Sequence, residues 1–523
     1  MQLFHAMVND RALILKICLF VTGCAGIVAE FVLSTLATYL IGNAIFQWTI
    51  VMSLMLFAMG LGSRFSRLVR RNLLDAFILI EFCLSILCAV SALLTYTLAA
   101  FLSNISLFVY VLALIIGCLI GLEIPLVTRL NDAYEELRIN ISNVMEKDYY
   151  GALLGGLVFA FLALPNLGLT YTPIVLGSLN FMVATILLWR FYEFIEQGRL
   201  LITACLISFI LLISLAFLAK PIILYGEQVK YKDKVIYSGQ TAYQKIVMTR
   251  WRQYYWLYIN GQEQFSTFDE EKYHEPLVHP ALKLSSDHAH ILILGGGDGL
   301  ALREVLKYPA VQTVTLVDLD PVMTDLARNH PVLRHINQGA MADPKVIVKN
   351  MDAAVFLEKH PETRYGAIII DLPDPDSIDL MHLYSQRFYR NLKYHLTRGG
   401  VVVTQATSPV FSNKAFLCIQ KTFQSAGYTT LAYHNSIPTM GEWGWVLGVV
   451  SNDCRSDQLK QRLMAADFSD VKTRYVNHDA MVAMLHFGKG ILENTESEKI
   501  DINLEISPVL HRYYLSGASW NFY

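Results

Sequence analysis

Charge is scarce in this chain. Lys, Arg, Asp and Glu make up 16% of its 523 residues, against about 25% in ordinary soluble domains, while hydrophobic residues reach 54%. A wholly water-soluble globule is excluded. The net charge of −2 supplies no basic field, which excludes a nucleic-acid partner. Disulfide and zinc patterns are missing too. The eight cysteines (Cys18, Cys24, Cys83, Cys88, Cys118, Cys205, Cys418 and Cys454) form no CxxC pair. Six lie in apolar runs, where a free cysteine acts as a small buried hydrophobe. No metal site is expected.

What is present is a run of long apolar segments in the first 220 positions. A membrane-crossing helix needs about 20 mostly apolar residues. Seven stretches qualify, near 17–41, 44–62, 76–102, 106–128, 150–168, 172–189 and 200–219. The first is too long, and has the wrong flanks, for a cleavable signal peptide. Arg64, Arg67, Arg70 and Arg71 mark the connection after the second span as cytoplasmic, whereas the connections near 42–43, 103–105 and 165–171 hold no Lys or Arg. The mixed-charge segment 129–148, with Glu135 among its acids, reads as an interfacial piece. Seven spans from an inside N-terminus place the C-terminal part outside. Lys220, Lys230, Lys232 and Lys234 pull it inside, and the two signals conflict. Glu30, Glu81 and Glu123 fall at membrane depth, where carboxylates are costly, and a cation path competes there with plain buried hydrogen bonding.

After residue 225 the pattern changes. Lys245–Met248 and Trp256–Ile259 alternate as strands around an Asn260-Gly261 hairpin turn. From 290 onward, short apolar strands (290–294, 313–317, 345–349, 367–370 and 401–404) alternate with helical stretches. The expected fold is a doubly wound α/β domain over 286–523, a small β domain over 225–285, and a polytopic membrane domain over 1–220.

Chemistry concentrates at the strand ends. Ile291–Gly299 runs from a buried strand into Gly295-Gly-Gly297-Asp298-Gly299 and then a helix, the local form that lets backbone approach a ligand. A tight turn without a ligand has the same form. Asp318 ends the second strand about 20 residues later, where a carboxylate accepts ribose hydroxyls. Capping of the helix near Pro321 is the other reading for that position, and Asp320 fits the cap better. Asp352 and Ala353 follow the third strand, where an acid can take an adenine amine or cap a helix. Past the fourth strand, Asp371 and Asp374 form a pair suited to a cationic acceptor and to taking its proton.

The run Gly295–Gly299 followed by Leu302–Lys307 resembles the spermidine synthase signature. So do Tyr243-Gln244, Asn260–Gln264 and Asp269–Glu275 upstream. The resemblance covers about 230 residues. It implies transfer of an aminopropyl group from decarboxylated S-adenosylmethionine to an amine, usually putrescine, giving spermidine and methylthioadenosine. That donor is a co-substrate, and no permanently bound cofactor is implied. Carried over by motif, Asp371 is the proton acceptor and Asp374 grips the diamine. Tyr273, His274 and Gln405 line the polyamine side, Gln264 falls at a position resembling a polar pocket residue, and Asp298 holds the aminopropyl ammonium. Gln244, Gly295, Gly297, Asp318, Asp352 and Ala353 form the nucleoside side. Soluble relatives are commonly dimers or tetramers, so a homo-oligomer is in view.

Departures from the family pattern stand at Leu300, Met351-Asp352-Ala353, Asp376-Ser377-Ile378 and Met440. They fall near the acceptor pocket and leave the acceptor less defined than the donor. The apolar half resembles the multi-span region attached to some bacterial homologues, through Gly26–Glu30, Asp148–Gly156 and Leu164–Gly168. A bilayer partner and a multi-pass position in the cell membrane follow. Three other functions compete: transfer to another polyamine, methyl transfer from S-adenosylmethionine, and a polyamine transporter or sensor with an enzyme-like domain.

Overall fold

The structure is a computed structural model that describes residues 2–41, 44–99, 105–131, 136–450, 454–492 and 499–517. It divides into two compact units, Met1–Val235 and Ile236–Tyr523. The connections at 42–43 and 103–104, Glu135 and the side chain of Lys220 lie outside the described residues.

The first unit is helical: α1 (Gln2–Ile41), α2 (Ala44–Phe65), α3 (Leu73–Ala99), α4 (Ile105–Asn131), α5 (Leu137–Val158), α6 (Leu164–Arg190) and α7 (Gly198–Lys230). Among the described residues, six stretches are long and apolar enough to cross a membrane. The sequence suggested seven, because two of its spans fall in one 54-residue stretch, Leu137–Arg190. An unbroken helix of that length would measure about 80 Å, more than twice the hydrocarbon core. It is broken by a π-helical turn at Phe159–Ala163 and by Gly168, whose φ of 61° and ψ of −170° are non-helical. Both α5 and α6 pack on α1, and α6 also packs on α3. The expected interfacial piece at 129–148 is not separate. It is the end of α4 and the first half of α5, joined by Asn140 Nδ2 donating to the Thr128 carbonyl at 2.7 Å.

Glycines set the helix spacing. A Cβ on Gly151 would lie 2.0 Å from the Phe20 carbonyl oxygen, one on Gly121 2.1 Å from that of Met59, and one on Gly62 2.0 Å from that of Cys118. Backbones touch there, the mode of packing that small residues allow within lipid.

In the second unit a four-stranded antiparallel sheet, β1 (Lys234–Gln240), β2 (Lys245–Trp251), β3 (Tyr254–Ile259) and β4 (Gln262–Ser266), leads into α8 (Glu271–Leu284). Asn260 and Gly261 both have positive φ, 52° and 85°, as a two-residue hairpin turn requires. The strands β5 (His290–Gly295), β6 (Thr313–Asp318), β7 (Val346–Asn350), β8 (Tyr365–Asp371), β9 (Leu396–Gln405), β10 (Thr429–Ile437) and β11 (Gly441–Val449) form one sheet in the order β10-β11-β9-β8-β5-β6-β7. The β5–β9 strands are parallel, and β11 and β10 add antiparallel. Ile291–Leu294 are fully buried, which explains why β5 reads as an unbroken apolar run.

Helices cover both faces: α9 (Leu300–Val305), α10 (Pro321–Asn329), α11 (Pro331–Ile336), α12 (Ala353–Lys359), α13 (Gln386–Leu392), α14 (Asn413–Ser425), α15 (Ser456–Met464), α16 (His478–Met484) and α17 (Leu510–Gly517). Asp320 caps α10 by accepting from Val322 N, as the sequence favoured.

The glycine contacts give a graded expectation. Gly121→Ala forces a Cβ into the Met59 backbone and should cost about 1–3 kcal/mol of stability. Gly26→Ala meets only the Ile120 side chain at 3.5 Å and should be neutral. Thermal unfolding of the two variants in detergent checks the contrast.

Candidate active site

The sheet reverses its strand order between β5 and β8, since the chain leaves β5 toward β6 and leaves β8 toward β9. Ligands of open α/β sheets bind at the carboxyl ends of such a pair. Here the two ends are locked together. Gly295 pairs with Asp371, and Gly296 N donates to the Asp371 carbonyl at 3.0 Å. Gly295 has φ of 83°, and a Cβ there would lie 2.1 Å from the Asp371 oxygen. Only glycine satisfies both constraints. The close approach seats the Asp371 side chain over the glycine turn.

Four of the expected side chains converge at this point. Tyr273 OH donates to Asp371 Oδ1 at 2.8 Å. Asp371, Asp298 and His274 are electrostatic neighbours. Burial pushes the Asp371 carboxyl up to about 6, the nearby Asp298 charge adds to this, and His274 and the Tyr273 bond oppose it. Burial also raises Asp298, whose Oδ1 accepts from Leu300 N at 2.8 Å at the start of α9. For His274, burial would lower the imidazole. Glu270, Asp298 and Asp371 together hold it above its ordinary value.

Behind these groups lies an ion network. His274 Nδ1 lies 3.2 Å from Glu270 Oε2, and Arg303 donates to the same oxygen at 2.8 Å and to Glu304 Oε1 at 2.8 Å. Burial would raise the Glu270 carboxyl, but His274 and Arg303 hold it well below the usual carboxylate range. Arg474 also pairs with Glu270. Among the described residues one trio, Glu275, His279 and Glu304, has metal-ligand spacing. Its charges are already answered. Glu275 accepts N–H groups of Arg474, Tyr475 and Val476, and Glu304 pairs with Arg303 and Lys307.

The nucleoside-side residues lie along the ends of β5, β6 and β7. A Cβ on Gly297 would lie 2.5 Å from Asp318 Oδ2, so this carboxylate faces the glycine turn. Burial raises Asp318 to about 6. Gln244 donates to Asp320 Oδ2 at 2.9 Å, two residues from Asp318. Met351 N donates to the Asp318 carbonyl at 3.1 Å, bringing the Asp352 loop alongside. Asp352 caps α12 through Val355 N and receives His382 Nε2 at 3.1 Å, and the His382 bond holds its carboxyl low. Ala353 is buried at the start of α12.

Asp374 sits deeper than Asp371. It accepts from Tyr514 OH on α17 at 2.8 Å and from Gln405 Nε2 at 3.3 Å, and burial raises it to about 7. Gln405 is committed within the protein. Its Nε2 also reaches the Leu372 carbonyl and Tyr384 OH, and its Oε1 accepts from Thr407 N. It therefore braces the 372–374 turn. Gln264 is half-buried, with Nε2 3.4 Å from the Gln262 carbonyl. Gln262 donates to Asp376 Oδ2 at 2.9 Å in the turn that departs from the family pattern.

Sequence reasoning missed Tyr514, Tyr384, His382 and the role of Glu270 and Arg303. The first three are far in sequence from the residues they touch and carry no motif. Glu270 and Arg303 stood inside quoted motifs without a reason attached.

Residues 270–461 match the model of the spermine/spermidine synthase domain family. The chain is 41% identical to polyamine aminopropyltransferase 2 of Aquifex aeolicus, over 96% of this chain and 98% of that one. It is 36% identical to the polyamine aminopropyltransferase of Oceanobacillus iheyensis, over 99% and 100%. A solved spermidine synthase from Thermotoga maritima is similar at 26% identity and a TM-score of 0.44, covering 50% of this chain and 87% of that one. With both curated relatives matched over nearly their full length, membrane half included, the chain belongs to the polyamine aminopropyltransferase family and is an enzyme of aminopropyl transfer.

Proposed function

We propose that the chain transfers the aminopropyl group of decarboxylated S-adenosylmethionine to putrescine, releasing spermidine and methylthioadenosine. The observation that carries this reading is the meeting of Asp371, Asp298, Tyr273 and His274 at the β5–β8 switch, beside a glycine turn facing Asp318. The nucleoside lies along Gly295, Gly297, Asp318, Asp352 and Ala353, with Gln244 closing the β6 end. Asp298 takes the donor's terminal ammonium, which aims the carbon beside the sulfonium toward Asp371.

Putrescine arrives protonated, because a simple alkyl amine has a pKa near that of lysine, about 10.4. Its reacting nitrogen passes a proton to Asp371 and attacks the carbon. The C–N bond forms, the C–S bond breaks, and the bonding pair stays on sulfur as a neutral thioether. A carboxylate raised toward 6 is a stronger base than an ordinary one. Tyr273 OH fixes its orientation, and Asp374 binds the far ammonium. Asp376 supplies a further acid in the same turn, which favours transfer to a longer polyamine as the second reading.

Asp371→Asn should lower kcat by about 10²–10⁴-fold while methylthioadenosine binding, read by calorimetry, persists. A kcat within a few-fold of wild type, or methyl transfer from S-adenosylmethionine without aminopropyl transfer, would overturn the assignment.

The pH dependence has a definite sign. Both acids are raised in the folded state above their ordinary value of 3.8, so the fold holds these protons more tightly than the unfolded chain. Their contribution to stability falls as pH rises from about 4 through about 7. Activity runs the other way, since the base must be ionised. The kcat/KM should climb through pH 6–7 and level above it, and putrescine should raise the unfolding temperature more at pH 8 than at pH 5.

Residence in the cell membrane as a multi-pass protein completes the reading, with the break at Gly168 making seven crossings of the apolar unit. Reporters fused before Met1 and after Tyr523 should then report opposite sides. The same side for both would rule out an odd number of crossings.

A further inference from the structure

The membrane unit contains a polar site that aminopropyl transfer does not use. Glu81 on α3 is fully buried, and its carboxylate oxygens meet no donor besides the neighbouring Glu123 carboxyl. It faces Glu123 on α4, also buried. Glu123 in turn faces the Thr22 hydroxyl on α1 and Asp148 on α5. The thiols of Cys18 and Cys88 are the remaining titratable neighbours. No Lys, Arg or His occurs anywhere in α3, and none is among the groups facing Glu81 or Glu123.

Unpartnered atoms nearby are of compatible kind. Ser85 Oγ, one helical turn from Glu81, is buried without a partner, and so is Asn180 Oδ1 on α6. These helices meet at this level. A Cβ on Gly177 would lie 2.4 Å from the Ser85 carbonyl oxygen, and the rings of Phe82 and Phe181 are 6.0 Å apart. Buried polar groups are normally satisfied, and each exception points to something that satisfies it. What this interior lacks is positive charge.

We propose that Glu81 and Glu123, with the Thr22 hydroxyl, form a cation site within the membrane unit, and that its ligand is an alkylammonium group. An ammonium head offers three N–H donors to two carboxylates and a hydroxyl. One positive charge between two acids offsets their mutual repulsion. A divalent metal fits less well, since the metal-spaced trio among the described residues lies elsewhere, at Glu275, His279 and Glu304. The surroundings suit an alkyl chain: Phe77, Ile78, Phe82 and Leu84 are buried to within 1% of exposure. The site is separate from the catalytic cleft and does not rest on the identity of the acceptor.

The test uses the full chain in lipid nanodiscs with radiolabelled putrescine as probe. Wild type should bind in two classes, and Asp371→Asn combined with Asp374→Asn should retain one. Adding Glu81→Gln or Glu123→Gln to that background should weaken the retained class at least tenfold, and Thr22→Val, which leaves both acids in place, should weaken it several-fold. In the otherwise wild-type chain, Glu81→Gln should keep the kcat of aminopropyl transfer. The proposal is overturned if putrescine binding in the retained class is unchanged in Glu81→Gln and Thr22→Val. Equal displacement of putrescine by sodium or potassium would also overturn it, by making the site one for inorganic cations.

Discussion

Arg303 fastens together two walls of the cleft. Its guanidinium joins Glu270, at the entry to α8, with Glu304 on α9 and the carbonyl of Ile336. Two residues of α8, Tyr273 and His274, stand beside the Asp371 carboxylate one turn past that entry. Taking such charges out of water is unfavourable, and removing one partner from a buried pair costs about 3–5 kcal/mol. The network is tolerable because every member has several partners: Glu270 is met by His274, Arg303 and Arg474, and Glu304 by Arg303, Lys307 and His279. It acts less as a source of stability than as a jig for the Tyr273–Asp371 bond.

The two units solve opposite problems with the same residue type. In the cleft, glycine is needed for its positive φ and because Asp371 leaves no room for a Cβ at Gly295. Among the membrane helices it is needed only for room, as at Gly62, Gly121 and Gly151, where the backbone stays helical. Gly168 belongs to the first kind, since its positive φ breaks a stretch that hydropathy alone joins into one.

Much of the second unit was legible because its signals are local. Strand, glycine turn and helix follow one another within fifteen residues around 291–305, and the acids at 318 and 371 end, and that at 352 follows, a strand that alternation or apolarity had already marked. The glycines of 151–156 are a local signal of the same kind, and Gly151 and Gly155 meet α1 backbone. Illegible were the contacts that depend on the tertiary fold. Tyr514 has no pattern around it that points to Asp374, and Gln405 looked like a free pocket amide until its three acceptors were seen. Glu81 was visible as a membrane carboxylate, but its burial against Glu123 with no cation among its neighbours is a property of several helices at once. The two runs at 150–168 and 172–189 were legible as separate, and Gly168 lies where one ends and the next begins.

The acid pair is assembled from distant parts of the chain. The bond from Tyr273 to Asp371 closes 98 residues, and that from Tyr514 to Asp374 closes 140. During synthesis at about 5–20 residues per second, the second interval lasts roughly 7–28 s. For all that time the membrane helices are already made, while the Asp374 carboxylate waits for the tyrosine that anchors it. The apolar helices are thus made well before the cleft is complete, and its acidic pocket takes final shape only once α17 has been added.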